Sequence, residues 1–231
     1  MSGVALGAAG RARREPGARH GPDAAVAAQF DDARQQADAA TLGMWLFIAT
    51  EMLFFGVLFF VYALARSYYP EAFAAASRHT RFWLGTINTA VLLSSSFAMA
   101  AAVRSAQLRA HRTSALLLVL TAVLGLAFAA IKLTEYGLDY RDHLVPVLDF
   151  AFDPRYATGA LAFFWLYFAT TGMHLVHLSI GVVIALIFAR REWRHASARL
   201  HEQVEIAGLY WHFVDLVWIF LYPCLYLIAR W

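Results

Sequence analysis

The chain has very little cysteine and few charged residues, and both shortages exclude whole classes of protein. Cys224 is the single cysteine among 231 residues, so no internal disulfide framework and no cluster of thiolate metal ligands can form. Charged residues make up only 15% of the chain, whereas soluble globular domains have about a quarter. There is also no Gly-rich phosphate loop, nucleophile elbow or internal repeat, which argues against nucleotide-binding enzymes, α/β-hydrolases and repeat proteins.

What the chain has in excess is apolar sequence. Apolar residues make up 61% of it, and the mean hydropathy is +0.54. A hydrocarbon core of about 30 Å requires about 20 helical residues. Five segments are long enough, at 42–64, 82–103, 113–131, 158–189 and 206–229. We therefore predict an all-α fold: an integral membrane bundle of five transmembrane helices over residues 42–231, preceded by a polar, mobile tail at 1–41.

The arginines predict the orientation of these spans, because loops on the cytoplasmic side carry an excess of positive charge. With five spans, the tail and the loops at 104–112 and 190–205 lie on one side of the membrane and hold 12 arginines. The loops at 65–81 and 134–157 and the C-terminus lie on the other side and hold 6. We predict a cytoplasmic N-terminus and an external C-terminus. The net charge of +3 therefore reflects loop arginines, and no nucleic-acid partner is expected.

Small residues predict which helix faces pack together, because helices associate in lipid through close packing and interhelical hydrogen bonds. The second span has Ala90, Ser94, Ala98 and Ala102 at four-residue steps, with Asn88 and Ser95 nearby, and the third has Thr121, Gly125 and Ala129. The first span instead carries bulky phenylalanines, which suit lipid or a partner protein.

Glu51 is a single acid near the middle of the first apolar span. A charged residue at a helix centre is unfavourable by roughly 2.5–3.5 kcal/mol, so an intramembrane acid usually has a function. Three interpretations stay open: a proton-transfer group, a hydrogen bond between helices, or a partner of a histidine or a lipid.

His174 and His177 lie three residues apart, which places both rings on one helical face. Neutral imidazole binds zinc, copper and iron, and His212, Glu51 and Asp215 are candidate additional ligands. No pattern in the sequence makes these residues converge, so hydrogen bonds to lipid, water or neighbouring helices are the favoured interpretation.

The last span begins with a polar and aromatic stripe formed by Trp211, His212, Asp215 and Trp218. An acid beside a histidine inside a membrane is compatible with a proton relay. The favoured interpretation is a His212–Asp215 hydrogen bond that fixes helix packing, with the tryptophans at the membrane interface. Lys132 and Glu135 are interpreted as an interfacial, structural pair at the end of a helix.

Four segments, in order along about residues 42–229, together resemble subunit III of haem–copper oxidases, the cytochrome c oxidase subunit 3 family. They are LGMWLFIATEMLFF (42–55), NTAVLLSS (88–95), ATTGMHLVH (169–177) and YWHFVDLVW (210–218). Glu135-Tyr136, after the third span, also fits. Many family members have seven spans, whereas this chain has five, with a polar tail in place of the first two.

The resemblance implies a non-catalytic, accessory subunit of a bacterial respiratory oxidase in the inner membrane, with no redox centre of its own. Haem and copper are expected in the catalytic partner. Subunits I and II would be its protein partners, and phospholipids would occupy a cleft. Its expected roles are to stabilise the catalytic subunit and to support proton uptake during aerobic electron transport from cytochrome c or quinol.

For the candidate site residues, the resemblance implies supporting roles. It places Glu51 in the proton-uptake or lipid-cleft region. It makes His174, His177, His212 and Asp215 packing or lipid-contact residues and not metal ligands.

Three alternatives stay open. Five-span homologues of this subunit are also encoded with nitric oxide reductase, in which case the chain would act in denitrification. A proton-coupled membrane transporter is the alternative of another class, although no inverted repeat or pair of broken helices supports it. The third is a membrane enzyme with a haem or metal of its own.

Overall fold

The computed structural model describes residues 33–146, 148–194 and 200–228, and nearly all of them are helical. The elements, in chain order, are α1 (Ala33–Tyr68), α2 (Pro70–His79), α3 (Phe82–Gln107), α4 (His111–Arg141), β1 (Leu144–Val145), β2 (Asp149–Phe150), α5 (Ala157–Trp193), α6 (Leu200–Tyr222) and a π-helical turn, Pro223–Leu227.

Five helices in the described part of the chain are long and apolar enough to cross a membrane. They are α1, α3, α4, α5 and α6, the last continuing through the π-helical turn. The predicted all-α bundle of five transmembrane helices is therefore confirmed. The orientation of the chain ends stays a prediction, and residues 1–32 and 229–231 lie outside the described residues.

Helix α1 begins at Ala33, nine residues before the first apolar span begins. Residues 33–41 therefore continue the first helix beyond its apolar part. The rest of the predicted tail lies outside the described residues, so the division of the chain at residues 41 and 42 stays a prediction.

The helices α3, α4, α5 and α6 form the centre of the bundle, and α1 packs on its outside, mainly against α5 and α6. In the most apolar stretch of each span, 61% of the residues are buried in the last span but only 11% in the first. Leu53, Phe54 and Phe60 of α1 are exposed. The other described residues therefore leave this bulky face of α1 uncovered.

Small residues do lie where α3 and α4 meet their neighbours, but the buried stripe on α3 differs from the predicted one. Asn88, Ser95, Ala98 and Ala102 are buried, whereas Ala90 and Ser94 are exposed. The buried stripe runs through residues 88, 92, 95, 99 and 102. These mixed steps of three and four follow 3.6 residues per turn, from which a strict four-residue step drifts away. On α4, Thr121 and Gly125 are buried as predicted.

Trp211 of α6 fills a slot between α4 and α5 that two glycines leave open. A β-carbon at Gly125 would lie 2.8 Å from both Trp211 Cη2 and Val182 Cγ2, and one at Gly181 would lie 3.0 Å from Trp211 Cε3. Carbon atoms in van der Waals contact are about 3.5–4.0 Å apart. The indole therefore packs directly against the backbones of two helices.

The predicted loops at 65–81 and 134–157 are shorter than expected. Helix α1 continues to Tyr68 and α2 follows it, while α4 continues to Arg141. The remaining loop contains the antiparallel pair β1 and β2, with Leu144 opposite Phe150. The ends of an apolar run mark the edge of the hydrocarbon core, and a helix without a breaking residue continues past that edge.

Pro223 changes the helical geometry at the end of α6. Proline has no N–H and clashes with the preceding turn of an α-helix, and a π-helical turn is a known local adjustment. The carbonyl of Cys224 accepts a hydrogen bond from the Tyr62 hydroxyl, and the carbonyl of Leu225 accepts one from Ser77 Oγ at 3.0 Å. The turn is thereby tied to α1 and α2.

Candidate functional site

An open groove lies between α1, α5 and α6, and we call it the α1 groove. Its volume is about 710 Å³, and its walls are mostly apolar side chains, among them Phe47, Ile184 and Ala207. The polar side chains that line it are Glu51, His177, Gln203 and Tyr210. Volumes of roughly 300–1,000 Å³ with a few polar groups are typical of small-molecule sites.

Glu51 and His177 pair in this groove. Glu51 Oε2 lies 3.0 Å from His177 Nε2, and the two side chains are 18% and 13% exposed. Glu51 is close to the middle of α1, about 25 Å from either end at 1.5 Å per residue. The pair therefore lies near the middle of the membrane-spanning region.

Three neighbours hold His177, two of them through its imidazole ring and one through its backbone carbonyl. Its Nδ1 lies 2.9 Å from the Met173 carbonyl oxygen, one turn earlier in α5. The Tyr210 hydroxyl donates to the His177 carbonyl at 2.9 Å and so joins α6 to α5. The Phe55 ring meets the imidazole edge to face at 5.3 Å between centroids. Groups from all three helices therefore fix the pair.

Of the interpretations left open for Glu51, the structure contains the histidine partnership, which is also a hydrogen bond between helices α1 and α5. Both residues are candidates from the sequence, but no local pattern pairs them, because they are separated by 126 positions. Tyr210 was not singled out. The indication that Glu51 has a partner was the acid itself, because an intramembrane carboxyl group needs a hydrogen-bonding partner on a neighbouring helix.

His174 and His177 do not share one environment, although they are three residues apart. His174 is fully buried inside the bundle, with its ring centroid 5.1 Å from that of Trp218 and 5.5 Å from that of Phe128. Neither ring nitrogen of His174 has a hydrogen-bond partner among the described residues. A three-residue step rotates a side chain by about 60° around the helix, which here separates the bundle interior from the groove.

Helices α3 and α6 are joined by an antiparallel ladder of side-chain hydrogen bonds. Trp211 Nε1 donates to Ser95 Oγ at 3.2 Å, and Trp218 Nε1 donates to Thr89 Oγ1 at 3.0 Å. His212 Nδ1 lies 2.8 Å from Ser96 Oγ, and the hydroxyls of Thr86 and Tyr222 are 2.7 Å apart. Bonds of this kind commonly hold membrane helices in register.

The ladder changes the interpretation of the last span. Trp211 and Trp218 are buried inside the bundle, where their N–H groups donate to hydroxyl groups on α3, and their position at the membrane interface stays a prediction. The predicted His212–Asp215 hydrogen bond is not formed, since His212 turns to Ser96. Neither carboxylate oxygen of Asp215 has a hydrogen-bond partner among the described residues.

A second polar cluster surrounds Lys132, which is fully buried. Its ammonium group donates to Glu135 Oε2 at 3.0 Å, to the Tyr167 hydroxyl at 2.9 Å and to the Tyr226 hydroxyl at 2.6 Å. Tyr226 in turn donates to Glu135, and Tyr167 donates to Asp139 Oδ2 at 3.1 Å. The cluster ties α4 to α5 and to the π-helical turn.

The interpretation of Lys132 and Glu135 as an interfacial pair at a helix end is wrong in its location. The pair exists, but both side chains are fully buried and α4 continues to Arg141. Tyr167 and Tyr226 were not singled out from the sequence. Lys132 itself indicates that such partners exist, because a buried ammonium group has three N–H donors that each need an acceptor.

The described residues contain no group of three or more His, Cys, Asp or Glu side chains placed to hold a metal ion. Glu51, His177, His174, His212 and Asp215 do not converge as a ligand set. That the chain has no redox centre of its own stays a prediction.

Comparison with known proteins gives a consistent result over most of the chain. The family model described as "Cytochrome c oxidase subunit III" matches residues 24–230. The chain is 31% identical over 210 residues to cytochrome c oxidase subunit 3 of Thermostichus vulcanus, covering 89% of this chain and 95% of that protein. It is 30% identical over 195 residues to the Synechocystis protein of the same name, covering 83% and 76%.

Animal proteins of the same name are similar in sequence but longer. The chain is 32% identical over 193 residues to cytochrome c oxidase subunit 3 of the squid Heterololigo bleekeri, covering 80% of this chain and 68% of that protein.

Proposed function

This chain belongs to the cytochrome c oxidase subunit III family, and from that membership we propose that it is the accessory subunit III of a bacterial haem–copper respiratory oxidase. In this role it stabilises the catalytic subunit, binds phospholipid and supports proton uptake during aerobic electron transport. The haem and copper belong to the partner, subunit I, with subunit II completing the complex in the bacterial inner membrane. Two of the similar proteins are cyanobacterial, which supports a bacterial complex.

The uncovered face of α1 supports a role that depends on a partner. Leu46, Leu53 and Phe60 are 61%, 73% and 67% exposed, although α1 lies against the rest of the bundle. Large apolar faces on a membrane helix meet either lipid or another protein, and packing against a neighbour lowers the free energy of the helix through van der Waals contact.

The observation that carries the proton and lipid roles is the Glu51–His177 pair in the α1 groove. Intramembrane ionisable groups mark proton relays and ligand contacts. The pair borders a groove of about 710 Å³ with apolar walls, which suits a lipid acyl chain. A proton can reach or leave the pair from the groove, since both side chains are partly exposed.

The partner identifies the function most directly. We expect the tagged chain, extracted from native membranes in mild detergent, to co-purify with a haem-bearing subunit that shows a Soret band. Identification of that partner by mass spectrometry separates an oxidase from a nitric oxide reductase. Recovery of the chain as a stable monomer without a haem protein would overturn the proposal and favour the transporter.

Substitution of Glu51 tests the proton role within that complex. Glu51→Gln retains a group that donates to His177 Nε2, so assembly should be normal. Turnover should fall, most at high pH, by much less than the about 100-fold typical for loss of a general acid or base. Glu51→Ala removes the bond and should weaken assembly. Complete loss of turnover in an assembled Glu51→Gln complex would contradict an accessory role.

A further inference from the structure

The hydrogen bonds around His177 determine how many protons the Glu51–His177 pair carries. The Met173 carbonyl oxygen can only accept, so the proton of that 2.9 Å bond must be on His177 Nδ1. The second ring nitrogen, Nε2, then faces Glu51 Oε2 at 3.0 Å. A hydrogen bond at this distance requires one proton between the two atoms.

Two forms of the pair satisfy that requirement. Either a protonated Glu51 donates to a neutral imidazole, or an imidazolium donates to the Glu51 carboxylate. Both forms are neutral overall and differ only in the atom that holds the shared proton. If that proton leaves for a base or water in the groove, two acceptors face each other and the pair becomes an anion in an apolar groove.

From this geometry we propose that Glu51 and His177 titrate as one unit with a single shared proton, and that His177 is the positioning residue that sets the proton state of Glu51. The inference rests on the proposed function, because it concerns the same site in the α1 groove. It assigns to His177 a role beyond packing or lipid contact.

The surroundings of the pair support this assignment. The ionisable side chain that faces it is Tyr210 from α6, whose hydroxyl is engaged with the His177 carbonyl. His174, one turn earlier in α5, is buried on the interior side of the helix and does not line the groove. No arginine or lysine is among the described residues that line the groove. Glu51 therefore depends on His177 for its nearest proton partner.

The groove also gives the shared proton a route. It extends from the pair to Gln203, which lies two turns before Tyr210 in α6, or about 10 Å along the helix. Gln203 lies near the first residue of α6, Leu200. The pair can therefore exchange its proton at this end of the bundle, while the edge of the imidazole stays covered by Phe55.

The test uses the intact complex of this chain with its catalytic partner and infrared difference spectroscopy during a pH titration. The carboxyl signal of Glu51 is the one lost in Glu51→Gln. The imidazole signal of His177 is the one lost in His177→Gln and shifted by isotope-labelled histidine. We expect both signals to titrate with one common midpoint in the wild-type complex.

The variants give the second expectation. In His177→Gln the Glu51 signal should no longer have the wild-type midpoint, because Glu51 has lost its proton partner within hydrogen-bond distance. The matched control is His212→Gln, which changes another intramembrane histidine outside the groove and should leave the midpoint unchanged. If His177→Gln does not assemble, the imidazole signal of His177 is assigned in another way, as the labelled-histidine signal that changes in Glu51→Gln. The inference is then tested by whether this signal and the Glu51 signal share one midpoint in the wild-type complex.

A midpoint of the Glu51 signal that differs from the midpoint of the His177 signal in the wild-type complex would overturn the inference. An unchanged Glu51 midpoint in His177→Gln would overturn it as well. These outcomes are distinct from failure of the proposed function. If the midpoints coincide but Glu51→Gln leaves turnover unaltered at every pH, the paired titration stands and the proton-uptake role fails.

Discussion

Lys132 is the only lysine in the chain, and it is completely buried in the bundle. The cost of removing an ammonium group from water is several kcal/mol, and it is offset only when geometry and hydrogen bonding are very favourable. Here all three N–H donors have acceptors, and the Tyr167 ring centroid lies 4.3 Å from Nζ. The chain therefore contains a complete donor and acceptor network where a single unpaired group would be strongly destabilising.

We expect Lys132→Met to destabilise the chain by about 3–5 kcal/mol, the range measured when one partner of a buried ion pair is removed. Glu135 would remain buried without its cation. The measurement is the denaturant or temperature midpoint at which the chain unfolds or leaves the complex. The double variant Lys132→Met with Glu135→Leu removes the isolated charge and should recover part of the loss. Equal stability of Lys132→Met and the wild type would mean that the network contributes nothing.

Among the helices, Trp211 packs closely against Gly125 of α4 and Gly181 of α5. The indole also donates to Ser95 of α3, so a single side chain joins α6 to three other helices. A change in the slot therefore alters the position of the whole of α6.

We expect Gly125→Ala to destabilise the bundle by about 1–3 kcal/mol, because the added methyl group overlaps Trp211 and Val182. Gly137→Ala is a matched control in the same helix, since a β-carbon there meets no atom within 4 Å. It should leave stability unchanged or raise it by up to about 1 kcal/mol, because alanine favours helix. Thermal unfolding of the two variants gives the comparison. A Gly125→Ala protein as stable as Gly137→Ala would show that α4 and α5 can separate at no cost.

Across the whole molecule, the ends of the helices separate the arginines into two groups. Arg104, Arg109 and Arg112 lie where α3 ends and α4 begins, and Arg190, Arg191 and Arg194 lie where α5 ends. The opposite ends of these helices carry fewer arginines, and one of them, Arg81, is paired with Asp142 at 2.6 Å. Positive charge is retained on the cytoplasmic side of a membrane.

We expect a reporter enzyme fused after Trp231 to be active outside the cytoplasm. The same reporter inserted at 108–110, between α3 and α4, should be inactive there. The reason is the 12 to 6 division of the arginines. Activity from both fusions would mean that the chain crosses the membrane a different number of times, and activity from the 108–110 fusion alone would reverse the predicted orientation.

Much of the architecture was predictable from the order of the residues alone. Because a membrane helix satisfies its own backbone hydrogen bonds and meets lipid directly, an apolar run of sufficient length identifies each span without knowledge of its neighbours. The family was predictable for a similar reason, since four short segments carry it locally. Glu51 stood out for the cost of an acid in that setting.

Side-chain pairing depended on the rotation and register of whole helices, which no spacing within one helix specifies. Glu51 is hydrogen-bonded to His177, while His174 lies inside the bundle and His212 is hydrogen-bonded to Ser96 instead of Asp215. Trp211 and Trp218 are buried because α3 presents hydroxyl groups at matching heights. Each of these contacts joins residues far apart in the chain, and the packing of Trp211 also depends on how closely Gly125 and Gly181 let the helices approach.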